Sequence, residues 1–120
     1  MRLRSKYGAK KTEVDGILFA SQKEARRYQE LKLLQLAGEI HGLSMQPRFK
    51  LTVQGADKGT FADVKLGEYR GDFVYCKCRR GAKCELSQRV IEDVKGFKTP
   101  LYRWKKKHVE AQYGITILET

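Results

Sequence analysis

The sequence lacks any long run of apolar residues, and its basic N-terminus is not followed by an apolar segment. A membrane-spanning helix needs about 20 consecutive, mainly apolar residues. A secretory signal needs an apolar stretch behind its basic start. We therefore expect neither a membrane protein nor an exported one, and we predict that the chain works in the cytoplasm where it is made.

Cysteine is also scarce, with only Cys76, Cys78 and Cys84 present. An odd number in a chain without an export signal argues against a disulfide framework and favours reduced thiols. Structural zinc sites use four Cys or His ligands, usually in Cys-x-x-Cys pairs. The spacing here is Cys-x-Cys, and the only histidines are His41 and His108. This pattern argues against zinc, and a zinc-stabilised nucleic-acid adaptor is kept only as a third hypothesis.

Acidic residues are few: 14 Asp and Glu stand against 25 Lys and Arg, which gives a net charge of +11. Such a surplus on a small domain favours a polyanionic partner, and nucleic acid is the commonest. The charge could instead serve solubility alone. A basic N-terminal arm at about residues 1–12 and the basic connection after Cys76 are candidate contacts to a phosphate backbone. Their candidate residues are Lys10, Lys11, Arg79 and Arg80.

The chain has no internal repeat, no low-complexity tract and no long interior linker, so residues 1–120 are predicted to form one domain. A capping box at Ser21–Glu24 begins a helix predicted to extend to about Ala37. Thr99 and Pro100 begin a second helix. Four of its residues recur at helical spacing and are expected to face the core: Leu101, Trp104, His108 and Ala111.

Strands are predicted at Met45–Val53, Tyr69–Cys76, Arg89–Lys95 and Ile115–Leu118. Residues 54–67 are polar and are predicted to form a long loop or a frayed hairpin, and Val14–Ile17 a tight turn. The order is helix, three strands, helix, strand. This order predicts an α/β fold with a central mixed sheet flanked by helices.

A carboxylate and a lysine end the third predicted strand. Asp93 and Lys95 are two residues apart, so on a strand they share one face. Asp72 interrupts the preceding strand, and pairing of the two strands would bring it beside Asp93. Two such carboxylates repel each other unless a cation lies between them. The three residues could therefore bind a divalent cation and activate water.

The bare Asp-x-Lys spacing is weak evidence, because Asp63-Val64-Lys65 repeats it in a predicted polar loop. Asp93 and Lys95 could also form a surface ion pair, and Asp72 could cap a turn. Glu92 also competes for the acidic role, but it should point to the opposite face from Asp93.

Several motifs together resemble a known family. They are Lys6–Lys10, Gly16–Phe19, Ser21–Ala25, Gln46-Pro47, Asp72-Phe73 and Asp93–Pro100. These motifs are similar to those of small phage and prophage proteins, catalogued as a domain of unknown function, in the PD-(D/E)xK nuclease superfamily. The resemblance implies a restriction-endonuclease-like αβββαβ core.

The resemblance also implies roles for individual residues. Asp72 and Asp93 would bind Mg²⁺ (or Mn²⁺), and Lys95 would be the catalytic lysine. Glu24 would be a further acidic ligand, although it could merely complete the capping box. Gln46 would line the site. Gly71 stands where the superfamily usually has proline.

The function implied is a metal-dependent endodeoxyribonuclease acting in phage DNA recombination, repair or processing. Relatives that resolve Holliday junctions favour duplex or branched DNA as the substrate and a homodimer as the assembly. A non-catalytic DNA-binding protein on a degenerate nuclease fold is the alternative. Residues of the second helix, together with Lys98 just before it, would contact the DNA backbone: Tyr102, Arg103, Lys105, Lys106 and Lys107.

Overall fold

A computed structural model of the chain describes residues 11–55, 63–77, 88–94 and 96–120. The elements in chain order are β1 (Thr12–Val14), β2 (Ile17–Phe19), α1 (Gln22–Leu36), β3 (His41–Met45), β4 (Arg48–Gln54), β5 (Asp63–Arg70), β6 (Phe73–Cys76), β7 (Arg89–Asp93), α2 (Pro100–Tyr113) and β8 (Ile117–Glu119). The predicted mixed α/β fold, with a central mixed sheet and two helices, is confirmed. Neither helix is long and apolar enough to cross a membrane.

The central sheet has the strand order β3-β6-β7-β8, in which β7 and β8 are parallel and the other neighbours antiparallel. Strands β4 and β5 pair separately. The two pairings join at a bend, where the N–H of Gln46 donates to the carbonyl of Asp72 (2.9 Å) and the N–H of Gly71 to the carbonyl of Pro47 (3.0 Å). The bend places Asp72 between two strands instead of inside one.

Two apolar clusters hold the helices to the sheet. The cluster at α1 contains Tyr28, Leu31 and Phe73, and the cluster at α2 contains Ile91, Val109 and other residues. Because side chains alternate along a strand, neighbouring residues of β6 and β7 enter different clusters. This alternation decides which charged side chain meets which helix.

Local signals for the helix ends and the tight turn are confirmed. The Ser21 side chain accepts from the N–H of Glu24 (3.1 Å), and Thr99 caps α2 in the same way through Tyr102. Asp15 and Gly16 both have positive φ, 53° and 75°, which the turn of a tight hairpin requires.

Two strand predictions are wrong in detail. Met45–Val53 is not one strand, because Gln46 adopts a left-handed φ of 54° and separates β3 from β4. Tyr69–Cys76 is likewise divided at Gly71-Asp72. For residues 54–67, the hairpin alternative and not the loop agrees with the structure, since residues 63–67 belong to β5 and pair antiparallel with β4.

The predicted core face of α2 is also wrong. Leu101 and Trp104 are 60% and 52% exposed, whereas Tyr102 and Val109 are buried. The buried face includes Lys106, whose ammonium pairs with an acid of β8. A lysine on the inner face makes that face look polar, and the sequence pattern therefore favoured the opposite side of the helix.

Cys76 is disulfide-bonded. The expectation of reduced thiols is therefore wrong at this position, because spacing along the chain does not give the distance between sulfur atoms.

Candidate active site

Asp72 and Asp93 lie side by side at the ends of two paired strands. Strands β6 and β7 pair in a register that sets Phe73 opposite Glu92. The N–H of Asp72 continues this ladder by donating to the carbonyl of Glu92 (2.9 Å). The next pair outward is therefore Asp72 and Asp93, whose carboxyl groups interact through their charges and a side-chain hydrogen bond.

Asp72 is strongly disfavoured as a carboxylate. Burial raises its pKa, and so do the charge of Glu24 and the charge and hydrogen bond of Asp93, whereas a hydrogen bond from the Val94 N–H lowers it. The pKa reaches about 8 against an ordinary value of 3.8. Three carboxyl groups from α1, the β5–β6 bend and β7 thus act on one another, although they are far apart in the sequence.

Asp93 is almost completely buried, with 1% of its surface exposed. Its Oδ2 accepts a 2.5 Å hydrogen bond from the hydroxyl of Tyr69. Burial, followed by this hydrogen bond and the charge of Asp93, raises the pKa of Tyr69. Burial and the same charge raise the pKa of Tyr102 as well. Tyr69 therefore remains a neutral donor that holds the Asp93 carboxyl in one orientation.

Glu24 combines a local role with a place beside the carboxyl pair. It occupies the first turn of α1, where its N–H is capped by Ser21, and it is only 8% exposed. A cavity of about 400 Å³ lies next to it. Lining residues are Gly16, Ile17, Leu18, Phe19, Glu24, Met45, Gln46 and Asp72.

Gln46 shares this cavity with Glu24 and Asp72. Its left-handed backbone is uncommon for a residue other than glycine and creates the bend that brings Gln46 next to Asp72. Three residues predicted from separate parts of the sequence thus line one cavity, and Asp93 adjoins it through Asp72.

Glu92, the competing acid, faces α1 and not the Asp93 side. Arg27 donates to it twice, at 2.7 and 2.8 Å, and the hydroxyl of Tyr75 donates as well. Glu92 is completely buried, and its hydrogen bond raises the pKa of Arg27. This pair links α1 to the central strand beneath the site, and we interpret it as structural.

Glu119 organises the basic residues next to Asp93. It lies opposite Asp93 in the parallel register of β7 and β8. Lys106 is 2.9 Å and Lys98 3.4 Å from its carboxylate, and Tyr102 donates to it at 3.0 Å. The hydrogen bond from Lys106 is the main cause that lowers the pKa of Glu119 to about 2.

The predicted DNA contacts in α2 and just before it therefore divide into two groups. Lys98 and Lys106 are bound to Glu119, and Tyr102 belongs to the core. Arg103 and Lys107 are exposed and Lys105 is partly exposed. Lys11 is exposed too. Lys95, Lys10, Arg79 and Arg80 lie outside the described residues, so their predicted roles stay predictions.

A second cavity, of about 230 Å³, is lined in part by Val94. It is lined by Lys23, Arg26, Arg27, Glu30, Val94 and Thr120. Three of these residues are bases and one is an acid, and Arg27 among the bases is paired with Glu30 and Glu92. We call this cavity the basic pocket. Since Val94 also binds Asp72, the basic pocket lies directly beside the carboxyl pair.

The sequence interpretation missed Tyr69, Arg27 and Glu119. Nothing in their neighbourhoods marks them, because each acts on a residue at least 24 positions away or on the neighbouring strand. Alternation around Asp93 placed Glu92 on the opposite face of the strand but indicated no partner for it.

The donor chemistry suits a hard divalent cation in part. Mg²⁺ commonly uses one or two protein carboxylates and fills its other positions with water and phosphate oxygens. Asp72 and Asp93 provide such a pair. No group of three or more Asp, Glu, His or Cys side chains among the described residues is arranged to hold a metal ion. Glu24 would therefore act on a bound cation through its charge or through water.

The chain belongs to a family described as a protein family of unknown function (DUF1064), whose model matches residues 4–118. No curated protein and no solved structure matches the chain significantly.

Proposed function

We propose that the chain is a Mg²⁺-dependent endodeoxyribonuclease that hydrolyses DNA phosphodiester bonds. The observation that carries the proposal is the convergence of Asp72, Asp93 and Glu24, where burial first, and then the charges of the two neighbouring acids, raise the pKa of Asp72 to about 8. A structural carboxylate is normally paired with a base, whereas the charged groups that act most on Asp72 are the acids Glu24 and Asp93. Clusters with such perturbed pKa values are typical of functional sites.

Each residue has a separate task in this proposal. A divalent cation, when bound, would neutralise the carboxyl pair and stabilise charge on the scissile phosphate. Asp72 and Asp93 would hold it, and Tyr69 would keep Asp93 oriented through its hydrogen bond. Lys95 would orient or deprotonate the attacking water. Lys23 and Arg26 of the basic pocket would receive a neighbouring phosphate.

The biological setting follows from the same proposal. A prophage or phage protein with this activity would act on DNA in the cytoplasm of its bacterial host. Recognition would depend on DNA shape and charge, and branched DNA is the preferred class. A homodimer would allow both strands of a junction to be cut.

Cleavage assays with Mg²⁺ or Mn²⁺ on duplex, flapped and four-way-junction DNA test the proposal. Asp93→Asn retains an acceptor for Tyr69, and we expect it to lose activity on the order of 10²-fold or more, since a bound metal supplies several kcal/mol. Asp63→Asn is the matched control, because Asp63 belongs to the other copy of Asp-Val-Lys, at residues 63–65, which is exposed. It should cut like wild type. If folded wild type cuts none of these substrates, or Asp93→Asn cuts equally well, the proposal is wrong.

A further inference from the structure

The outer face of α2 carries exposed apolar side chains near the candidate active site. Leu101 is 60% and Trp104 52% exposed, and Phe97, in the turn before the helix, is 64% exposed. Leu101 and Trp104 are three residues apart and therefore neighbours on one helix face. We call Phe97, Leu101 and Trp104 the aromatic surface. Single exposed apolar residues are ordinary, but a group containing the only tryptophan of the chain needs an explanation.

Trp104 is held in position. Its ring packs against His108 with 5.4 Å between the centroids, at an angle of 58°. His108 is itself anchored, because its Nε2 hydrogen-bonds the carbonyl of Thr52 in β4 (2.9 Å). About half of the indole thus remains accessible, while its packing against His108 fixes its orientation. A ring ordered in advance loses little conformational entropy when a ligand stacks on it.

Positive charge surrounds the aromatic surface on both sides. With 3.6 residues per turn, Lys107 is about 60° to one side of Trp104 and Lys105 about 100° to the other. Arg103 lies on the same side of Trp104 as Lys107. None of these three forms an ion pair with another described residue, whereas Lys98 and Lys106 are bound to Glu119.

This charge pattern selects the partner. A second copy of the chain would bring its own lysines and arginines against these, and juxtaposed like charges oppose association. A nucleic-acid strand supplies the opposite charge together with flat bases. Proteins that bind single strands combine a positive groove with aromatic rings on which bases stack.

We propose that the aromatic surface binds unpaired bases of a DNA strand, with a base stacked on Trp104 and phosphates held by Arg103, Lys105 and Lys107. The inference deepens the proposed function, because it specifies DNA with unpaired bases beside the cut as the substrate class. The surface lies on the opposite side of α2 from Tyr102, about one helix diameter, 10–12 Å, from the acid-bearing side. Fully paired duplex offers no base face for stacking except at its ends.

Trp104 provides its own probe, since no other tryptophan contributes fluorescence. Wild type is titrated in EDTA with a single strand of about 12 nucleotides, within the usual site size, and with a long blunt-ended duplex, in which every base is paired and ends are rare. We expect strong quenching by the single strand and little by the duplex. Equal quenching by both would overturn the proposal.

Variants separate stacking from simple burial of apolar area. In anisotropy titrations with labelled single strand, Trp104→Leu should weaken binding by about 5- to 100-fold, and Trp104→Phe should recover most of the loss. Leu36→Ala, at an 84% exposed leucine of α1, is the control and should bind like wild type. Unchanged DNA binding by Trp104→Leu would overturn the proposal. So would a Trp104→Leu variant that keeps its DNA affinity but loses self-association of the chain.

Failure of this inference is distinguishable from failure of the proposed function. Metal-free binding that depends on Trp104, without cleavage when Mg²⁺ is added, would leave the surface intact and refute the nuclease. Cleavage that depends on Asp93, together with DNA binding that does not depend on Trp104, would support the nuclease and refute the aromatic surface. Thermal unfolding of each variant establishes that it is folded before either conclusion is drawn.

Discussion

The backbone N–H of Val94 donates a 2.6 Å hydrogen bond to Oδ2 of Asp72, across the ends of two paired strands. This bond favours the charged form of Asp72, whereas burial and the charge of Glu24 favour the neutral form. The balance leaves the pKa at about 8. Asp72 therefore retains a proton near neutral pH, and a cation entering beside Asp93 would compete with that proton.

Asp72→Asn should stabilise the protein in alkaline conditions. The folded chain binds a proton at Asp72 more tightly than the unfolded chain does between the ordinary pKa of 3.8 and the folded value of about 8. Stability is therefore lost as the pH rises through this interval. Asparagine keeps the acceptor for Val94 without the charge, and we expect a gain of about 1–3 kcal/mol near pH 8. Urea unfolding at about pH 5 and pH 8 measures it; a variant less stable than wild type at the higher pH contradicts the assignment.

Binding of Mg²⁺ should release protons. Because Asp72 is largely protonated below its pKa of about 8, a cation that binds its carboxylate must displace up to one proton, and its affinity should rise with pH. Calorimetric titration at neutral pH in two buffers with different ionisation enthalpies counts the protons. Asp72→Asn should abolish the release, and Asp63→Asn should leave it unchanged. A wild-type protein that binds Mg²⁺ without proton release would contradict the site.

Replacement of Arg27 alone in the Arg27–Glu92 pair should strongly destabilise the protein. Glu92 is completely buried, so Arg27→Met leaves an unpaired charge and should reduce the free energy of unfolding by about 3–5 kcal/mol. The double variant Arg27→Met, Glu92→Met replaces the pair with apolar side chains and should recover much of that loss. Arg26→Met, at an exposed neighbour in α1, is the control. Denaturant unfolding of all four proteins tests the pair, and equal losses in the single and double variants would refute it.

Gly71→Ala should disturb the carboxyl pair through packing. A Cβ at this position would lie 3.2 Å from Cγ2 of Ile91 and 3.3 Å from Cγ of Pro47. Overpacking of this kind costs about 1–3 kcal/mol, and relief of the contact would displace Asp72 from Asp93. We expect a lower melting temperature and reduced cleavage. Gly67→Ala, where nothing lies within 4 Å of the added Cβ, is the matched control and should show neither effect.

Arg26→Ala should weaken DNA binding through the basic pocket. Each phosphate contact contributes roughly one unit to the slope of log K against log salt. We therefore expect the slope to decrease by about 1 for all DNA substrates alike. Binding in EDTA across a salt series measures it. An unchanged slope would remove the basic pocket from the proposed interface.

Much of the local structure is legible in the sequence. The Ser21 and Thr99 caps, the Asp15-Gly16 turn and the strand that ends at Asp93 each depend on residues a few positions apart. Local hydrogen bonds and side-chain alternation act over that range, so a short window of sequence contains the necessary information. The same reasoning put Glu92 and Asp93 on opposite faces before any partner was known.

The tertiary structure decided which of these elements meet. The adjacency of Asp72 and Asp93 depends on the register of β6 and β7, and the outward position of Trp104 depends on how α2 rotates onto the sheet. Lys106 explains why the sequence predicted the wrong core face of α2. Its ion pair with Glu119 allows a lysine to lie on the side of the helix that faces the sheet. The sequence determined the chemical groups and the short-range conformation. Packing between distant residues determined their convergence, because register and helix rotation are set by contacts that no local pattern encodes.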